Sequence, residues 1–173
     1  MKAGGGRAKG SGFEREVAAM ILKHAGPRFT KADCFRTPLS GGHRFARESD
    51  PGDLQISPAL TKVFPACVEC KRYREISLEH FIIRKKQRSW QEMRWLDQTI
   101  SQTKPGQIPI LVFKANRGVT FCVVSLSALS GKWSIILPFT NVTFHYRNDS
   151  WVLMEFDVFL IRFFDGKDRV LSR

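Results

Sequence analysis

Acidic residues are scarce in this chain. Asp and Glu total 16 against 28 Lys and Arg, so the 173 residues carry a net charge of +12. An excess of this size draws polyanions and speeds encounter with them, which makes nucleic acid the leading partner. An anionic membrane is the weaker alternative, because no clean basic amphipathic helix supports it. Long apolar runs are missing as well. None is long enough to cross a bilayer, and the N-terminus lacks the apolar core of a secretion signal, so an intracellular chain with no membrane partner is expected. Cysteines number only four: Cys34, Cys67, Cys70 and Cys122. Cys67-x-x-Cys70 has half of a zinc spacing, but no second pair follows. Positions i and i+3 of a strand also face opposite sides, so both read as small, reduced strand residues.

What is present is a globular composition. Hydrophobic residues make up 43% and charged residues 25%, a length and balance suited to one domain with a proper core. Residues 1–10 (MKAGGGRAKG) are rich in glycine and basic side chains, which predicts a flexible basic arm ahead of a domain over 11–173. From Ser11 to about Ala25, Phe13, Val17, Ala18, Ile21, Leu22 and Ala25 recur at helical spacing, and Ser11-Gly12-Phe13-Glu14 fits a capping box. At about 100° per residue, Glu14 falls within the apolar stripe and Glu16 on the polar side near Lys23. A carboxylate on a core-facing stripe needs a partner. Capping alone and a role in a site both remain open for Glu14 at this point.

Gly26-Pro27 ends the helix. Strands are predicted over 32–37, 53–57 and 63–71. Two more come at 108–114 and 119–125, split by an Asn116-Arg117-Gly118 turn. Further β segments are expected over 134–139, 141–147 and 151–156. Helix dominates 77–104, with a second capping box at Ser89-Trp90-Gln91-Glu92 and an apolar face of Trp90, Met93, Leu96 and Ile100. Residues 157–165 read equally as helix or strand, apolar enough for a core or a dimer interface. Strands alternating with helices in this way define an α/β domain, a mixed sheet flanked by helices.

Two stretches carry chemistry. Asp50-Pro51-Gly52-Asp53-Leu54-Gln55-Ile56 places an acid at the entry of a strand after a turn. Ala66-Cys67-Val68-Glu69-Cys70-Lys71 ends a second strand in Glu-x-Lys, and a side-chain period of 2 puts Glu69 and Lys71 on one face. If the strands pair, Asp53 and Glu69 converge on one divalent cation with Lys71 beside it. Carboxylate oxygens suit Mg²⁺, with Mn²⁺ able to substitute. A cation on a phosphate polarises it and activates water, and a lysine there orients the water or offsets developing charge. The chemistry implied is phosphodiester hydrolysis.

These residues resemble the active-site motif of the PD-(D/E)XK nuclease superfamily. In order, Lys9-Gly10-Ser11-x-x-Glu14-Arg15, Arg36-x-Pro38-x-Ser40-Gly41, Pro51-Gly52-Asp53 and Glu69-x-Lys71 resemble archaeal-type Holliday-junction resolvases and their phage relatives, over roughly the first 75 residues. The resemblance implies a restriction-endonuclease-like fold and a Mg²⁺-dependent DNA endonuclease, a junction or branched-DNA resolvase serving recombination and repair. It implies a homodimer, since paired nicks on opposing strands need C₂ symmetry. A phage protein of this kind is expected in the host cytoplasm. Residue by residue, the resemblance assigns catalytic roles to Glu14, Asp53, Glu69 and Lys71, with the metal on Asp53, Glu69 and Glu14, and an accessory role to Ser40. Pro-Gly-Asp stands where the family usually has Pro-Asp, an insertion that glycine tolerates in a turn.

Beyond these, Lys9, Arg15, Arg36, Arg44, Arg47, Arg72, Lys85 and Lys86 are the basic residues assigned to the DNA backbone. Gln91, Trp95, Gln98 and Gln102 form a polar and aromatic stripe; the resemblance implies an accessory glutamine on the helix after Glu-x-Lys, which Gln98 or Gln91 matches. Two rival functions carry different signatures. A nuclease of the same fold acting on duplex, flap or single-stranded DNA shares every one of these residues. A non-catalytic nucleic-acid-binding protein has a broken acidic set, whereas this set is complete. Charge alone does not separate DNA from RNA.

Overall fold

A computed structural model describes residues 5–38, 52–82, 90–116, 118–129 and 142–170. Helix α1 (Gly5–Ala25) buries Phe13, Val17, Ala18 and Ile21, the predicted stripe. It starts at Gly5 rather than Ser11, so residues 5–10 of the expected arm are helical backbone, and the Ser11–Glu14 capping box falls inside the helix. Gly26 ends it with φ +99°, the left-handed conformation that glycine adopts without a Cβ penalty.

Strands β1 (Cys34–Arg36) and β2 (Leu54–Ile56) pair antiparallel in a small sheet of their own. A short helix α2 (Pro58–Thr61) comes next, capped by the Ser57 side chain. β3 (Ala66–Tyr73) opens the main sheet; α3 (Glu79–Ile82) and α4 (Gln91–Gln102) lead to β4 (Ile108–Ala115) and β5 (Thr120–Ser125). β6 (Val142–Tyr146) and β7 (Asp149–Glu155) form a hairpin, and α5 (Phe156–Val170) closes the described chain. The main sheet has five strands in the order β3-β4-β5-β7-β6. β3 and β4 run parallel and the remaining neighbours antiparallel, which makes the sheet mixed, as expected. The β segment expected over 134–139 lies outside the described residues.

Alternation along the strands divides the core into two layers. Val68, Cys70, Ile110, Val112, Cys122 and Val124 face α1 and α5, while Leu111, Phe113 and Val123 face α3 and α4. On α5, Phe156, Phe159, Leu160 and Phe163 are buried at helical spacing, which resolves the open choice over 157–165. These side chains serve this chain's own core rather than a dimer interface. Phe163 meets Phe64 edge-on at 5.2 Å, and burying a ring of that size contributes about 1.5–3 kcal/mol. Among the described residues, no helix is long and apolar enough to cross a membrane.

β3 is an edge strand, hydrogen-bonded to β4 on one side only, which leaves its outer side free to meet other parts of the chain. β2 does not continue the sheet beyond it, contrary to the expected pairing of the two strands that carry Asp53 and Glu69. A single turn, Gly52-Asp53, touches the free side of β3 instead: the Asp53 N–H donates to the Val68 carbonyl at 2.8 Å.

Candidate active site at the outer edge of β3

Strand register places the Glu-x-Lys pair. Glu69 lies beside Leu111 and Lys71 beside Phe113, so both face the α3/α4 layer, while the alternating Val68 and Cys70 face α1 and α5. Glu69 is 1% exposed. Lys71 Nζ donates to its Oε1, and its Oε2 is buried with no hydrogen-bond partner. Burial and the nearby Asp53 charge raise the Glu69 pKa to about 7. Burial opposes the Lys71 ammonium, but Glu69 and Asp53 outweigh it and the lysine pKa rises. The strand therefore delivers a firmly protonated lysine next to a carboxylate that is destabilised as an anion.

Asp53 arrives from the free side of β3. Gly52 has φ +79°, and a Cβ built there would sit 2.6 Å from the Val68 carbonyl oxygen, so the turn approaches β3 more closely than any side chain allows. Three contacts then fix Asp53. Besides its N–H bond to Val68, its carbonyl accepts from the Thr37 N–H at 2.9 Å. Its Oδ2 accepts from the Cys70 N–H at 2.8 Å. Burial raises the Asp53 pKa; the Cys70 N–H works against this, and the Glu14 charge adds to it.

Glu14 comes from the opposite layer, on the buried stripe of α1. Its Oε2 accepts from Arg36 Nε at the end of β1. The Glu14 charge contributes to the raised pKa of both Asp53 and Glu69. Carboxylates from a helix, a turn and a strand thus influence one another around one strand edge. They do not form a ready-made cage: among the described residues, no three His, Cys, Asp or Glu side chains stand close enough to hold an ion. Arg36 and Lys71 occupy the positions of positive charge instead. The donor set nevertheless suits a hard cation. An orphaned buried carboxylate oxygen and two mutually repelling acids gain most from a divalent ion with oxygen preference.

Several expectations are relocated. Glu16 is not simply solvated near Lys23; its Oε1 pairs with Lys114 Nζ on β4 at 2.6 Å. The second capping box is absent, since Trp90 is the N-cap without a side-chain bond, and Glu92 instead meets His80 Nδ1 at 2.7 Å. Trp95 leaves the expected polar stripe for the core, where its ring lies 4.6 Å from Tyr73 on β3. Gln98 is half-buried on the same helix. Arg15 is exposed, and Arg36 and Arg72 are half-buried. Ser40, Arg44, Arg47, Lys85 and Lys86 lie outside the described residues, as does the Lys9 side chain. Cys67 and Cys70 are buried free thiols whose pKa values burial raises. Sequence reasoning missed the Thr37 clamp on Asp53 and the Arg36 pairing with Glu14. No periodic signal links residues on a helix and a separate short strand.

A comparison of the two glutamates tests the geometry. Glu14→Gln is expected to impair catalysis severely, because it removes a charge from the strand edge. Glu16→Gln is expected to cut at nearly the normal rate, losing a half-exposed ion pair that contributes roughly 0.2–1 kcal/mol. Cleavage rates and melting temperatures of both variants decide, and equal losses of rate would contradict the assignment.

A mixed sheet between helical layers, with an aspartate-bearing turn and a Glu-x-Lys strand meeting at its edge, defines a nuclease of the PD-(D/E)XK class with the restriction-endonuclease-like fold. The chain belongs to the family described as "Phage putative PDDEXK endonuclease", whose model matches residues 5–167. No curated protein and no solved structure matches it. Nucleases of this class generally depend on a divalent metal ion.

Proposed function

We propose that the protein is a Mg²⁺-dependent endodeoxyribonuclease that resolves branched DNA, acting as a homodimer on four-way junctions. The convergence of Asp53 and Glu69 on the outer edge of β3, with the Lys71 ammonium against Glu69, carries the reading. Asp53 and Glu69 would hold the cation and Glu14 would add a direct or water-mediated contact. The cation would supply polarisation of the scissile phosphate and a water acidic enough to attack. Lys71 exchanges its bond to Glu69 for the attacking water and offsets negative charge on the phosphate. Arg36, paired with Glu14, would take a DNA phosphate on leaving it, as would Arg15, which lies exposed on the same helix as Glu14. Ser40, Gln98 and the remaining basic residues, Lys9, Arg44, Arg47, Arg72, Lys85 and Lys86, complete the proposed DNA contacts.

Substrate shape is the finer claim. A net charge of +12 predicts affinity for any DNA, falling with salt at a log–log slope of about −0.9 per phosphate neutralised. Preference for a junction has to come from two dimer-related sites meeting two strands at once. The expected result is that excess linear duplex fails to displace a labelled four-way junction at moderate salt. Equal competition at every salt concentration would remove the resolvase reading and leave the nuclease reading standing.

A further inference from the structure

Beside the carboxylates, an open groove of about 940 Å³ runs between α1 and β1. Leu22 and Phe35 contribute apolar wall, and Arg15, Lys23, Lys31 and Arg36 line it as well. Among the described residues, no acidic side chain lines it. Arg36 belongs to both places, since its Nε donates to Glu14 while its side chain borders the groove. Phe35 is 40% exposed. The same ring borders a second hollow of about 440 Å³ beside β2, so it stands where two depressions meet.

We propose that this groove binds an unpaired stretch of DNA strand next to the scissile site, with a base stacked on Phe35 and the backbone along Arg15, Lys23 and Lys31. The proposal rests on the nuclease reading and adds an unpaired strand at a branch point to the DNA that the site accepts, beside the paired arms of a junction. Two features select this occupant. A paired duplex offers phosphates but hides the faces of its bases, whereas an unpaired strand offers both, and aromatic rings beside cationic side chains are the usual platform for it. A second copy of the chain would bring another +12 of charge to a rim that is already cationic. The groove also shares Arg36 with the carboxylate site, so a strand lying in it is continuous with a phosphate at Glu14 and Asp53.

The test uses the full chain without divalent metal, so that binding is read apart from cleavage. Fluorescence anisotropy at moderate salt would compare a labelled single-stranded oligonucleotide, a duplex carrying a single-stranded flap, and a blunt duplex. Phe35→Ala is expected to weaken the first two by about tenfold or more while leaving the blunt duplex unchanged. Phe35→Leu keeps an apolar side chain without a ring and is expected to lose nearly as much. Lys23→Ala and Lys31→Ala should each flatten the salt dependence of single-strand binding by about 0.7 in log–log slope. Equal effects of Phe35→Ala on all three DNAs, or none on any, would overturn the proposal. So would a change in sedimentation without a change in strand binding, which would assign the groove to a second copy. Failure of the wild-type protein to bind any of the three would instead overturn the nuclease reading.

Discussion

Asp53→Asn and Glu69→Gln are each expected to lower cleavage by about a hundredfold or more, the loss that follows when a single charge-stabilising group is removed from an active site, and to leave DNA binding intact. The two halves of this expectation come from different residues. On the proposed reading, affinity would rest on basic side chains such as Arg15 and Arg36. Cleavage, on the same reading, would rest on Asp53 and Glu69, whose pKa values burial raises, with neighbouring carboxylates adding to the shift and Lys71 offsetting only part of it. Neutralising either one relieves repulsion in the metal-free protein, so neither variant should melt below the wild type by more than a small margin, and DNA affinity should hold or rise. Cleavage rates, binding isotherms and melts on the same preparations check all three. A variant that cuts at the wild-type rate in Mg²⁺ would show that its carboxylate does not serve the cation.

Gly52→Ala is expected to do comparable damage without touching an ionisable group. An alanine at φ +79° is strained, and its Cβ would lie 2.6 Å from the Val68 carbonyl oxygen, a backbone atom that has no rotamer with which to yield. The turn must therefore lift away from β3, and with it go the Asp53 N–H bond to Val68 and the Oδ2 bond from the Cys70 N–H. Gly106→Ala provides the control. That glycine has φ +83° but nothing within 4 Å of its missing Cβ, so it should cost about 1–2 kcal/mol of strain and leave the rate unchanged. Gly52→Ala should melt lower than Gly106→Ala and lose most of its activity. Equal melts and rates for the two would mean that close approach to Val68 is not what positions Asp53.

The parts of this arrangement that are legible in the sequence are those governed by local rules. Strand alternation alone puts Glu69 and Lys71 together, and register against β4 confirms their shared face. The stripe on α1 places Glu14 on the buried side, where it is. The Pro-Gly-Asp insertion reads as a turn, and Gly52 indeed requires a positive φ. What the sequence misplaces depends on tertiary contacts. Ser11 and Glu14 have capping-box spacing, but the helix extends back through glycines to Gly5, and Glu14 answers to Arg36 instead. Asp53 and Glu69 look like members of paired strands, yet β2 pairs with β1, and the Gly52-Asp53 turn is what hydrogen-bonds to β3. Glu16 looks solvated until β4 brings Lys114 to it. On α5 the apolar residues are dense enough to hide their own period, and packing on Phe64 selects helix.

If the carboxylates gathered at the edge of β3 make this chain a metal-dependent DNA-cutting enzyme, cleavage and its dependence on metal must appear together. The most direct test incubates the purified protein with a labelled four-way junction and a matched linear duplex, in Mg²⁺ and in chelator. Cleavage in Mg²⁺, with a symmetric pair of cuts in the junction, and none in chelator is the predicted result. Intact DNA under both conditions, or cutting that persists undiminished in chelator, would contradict it.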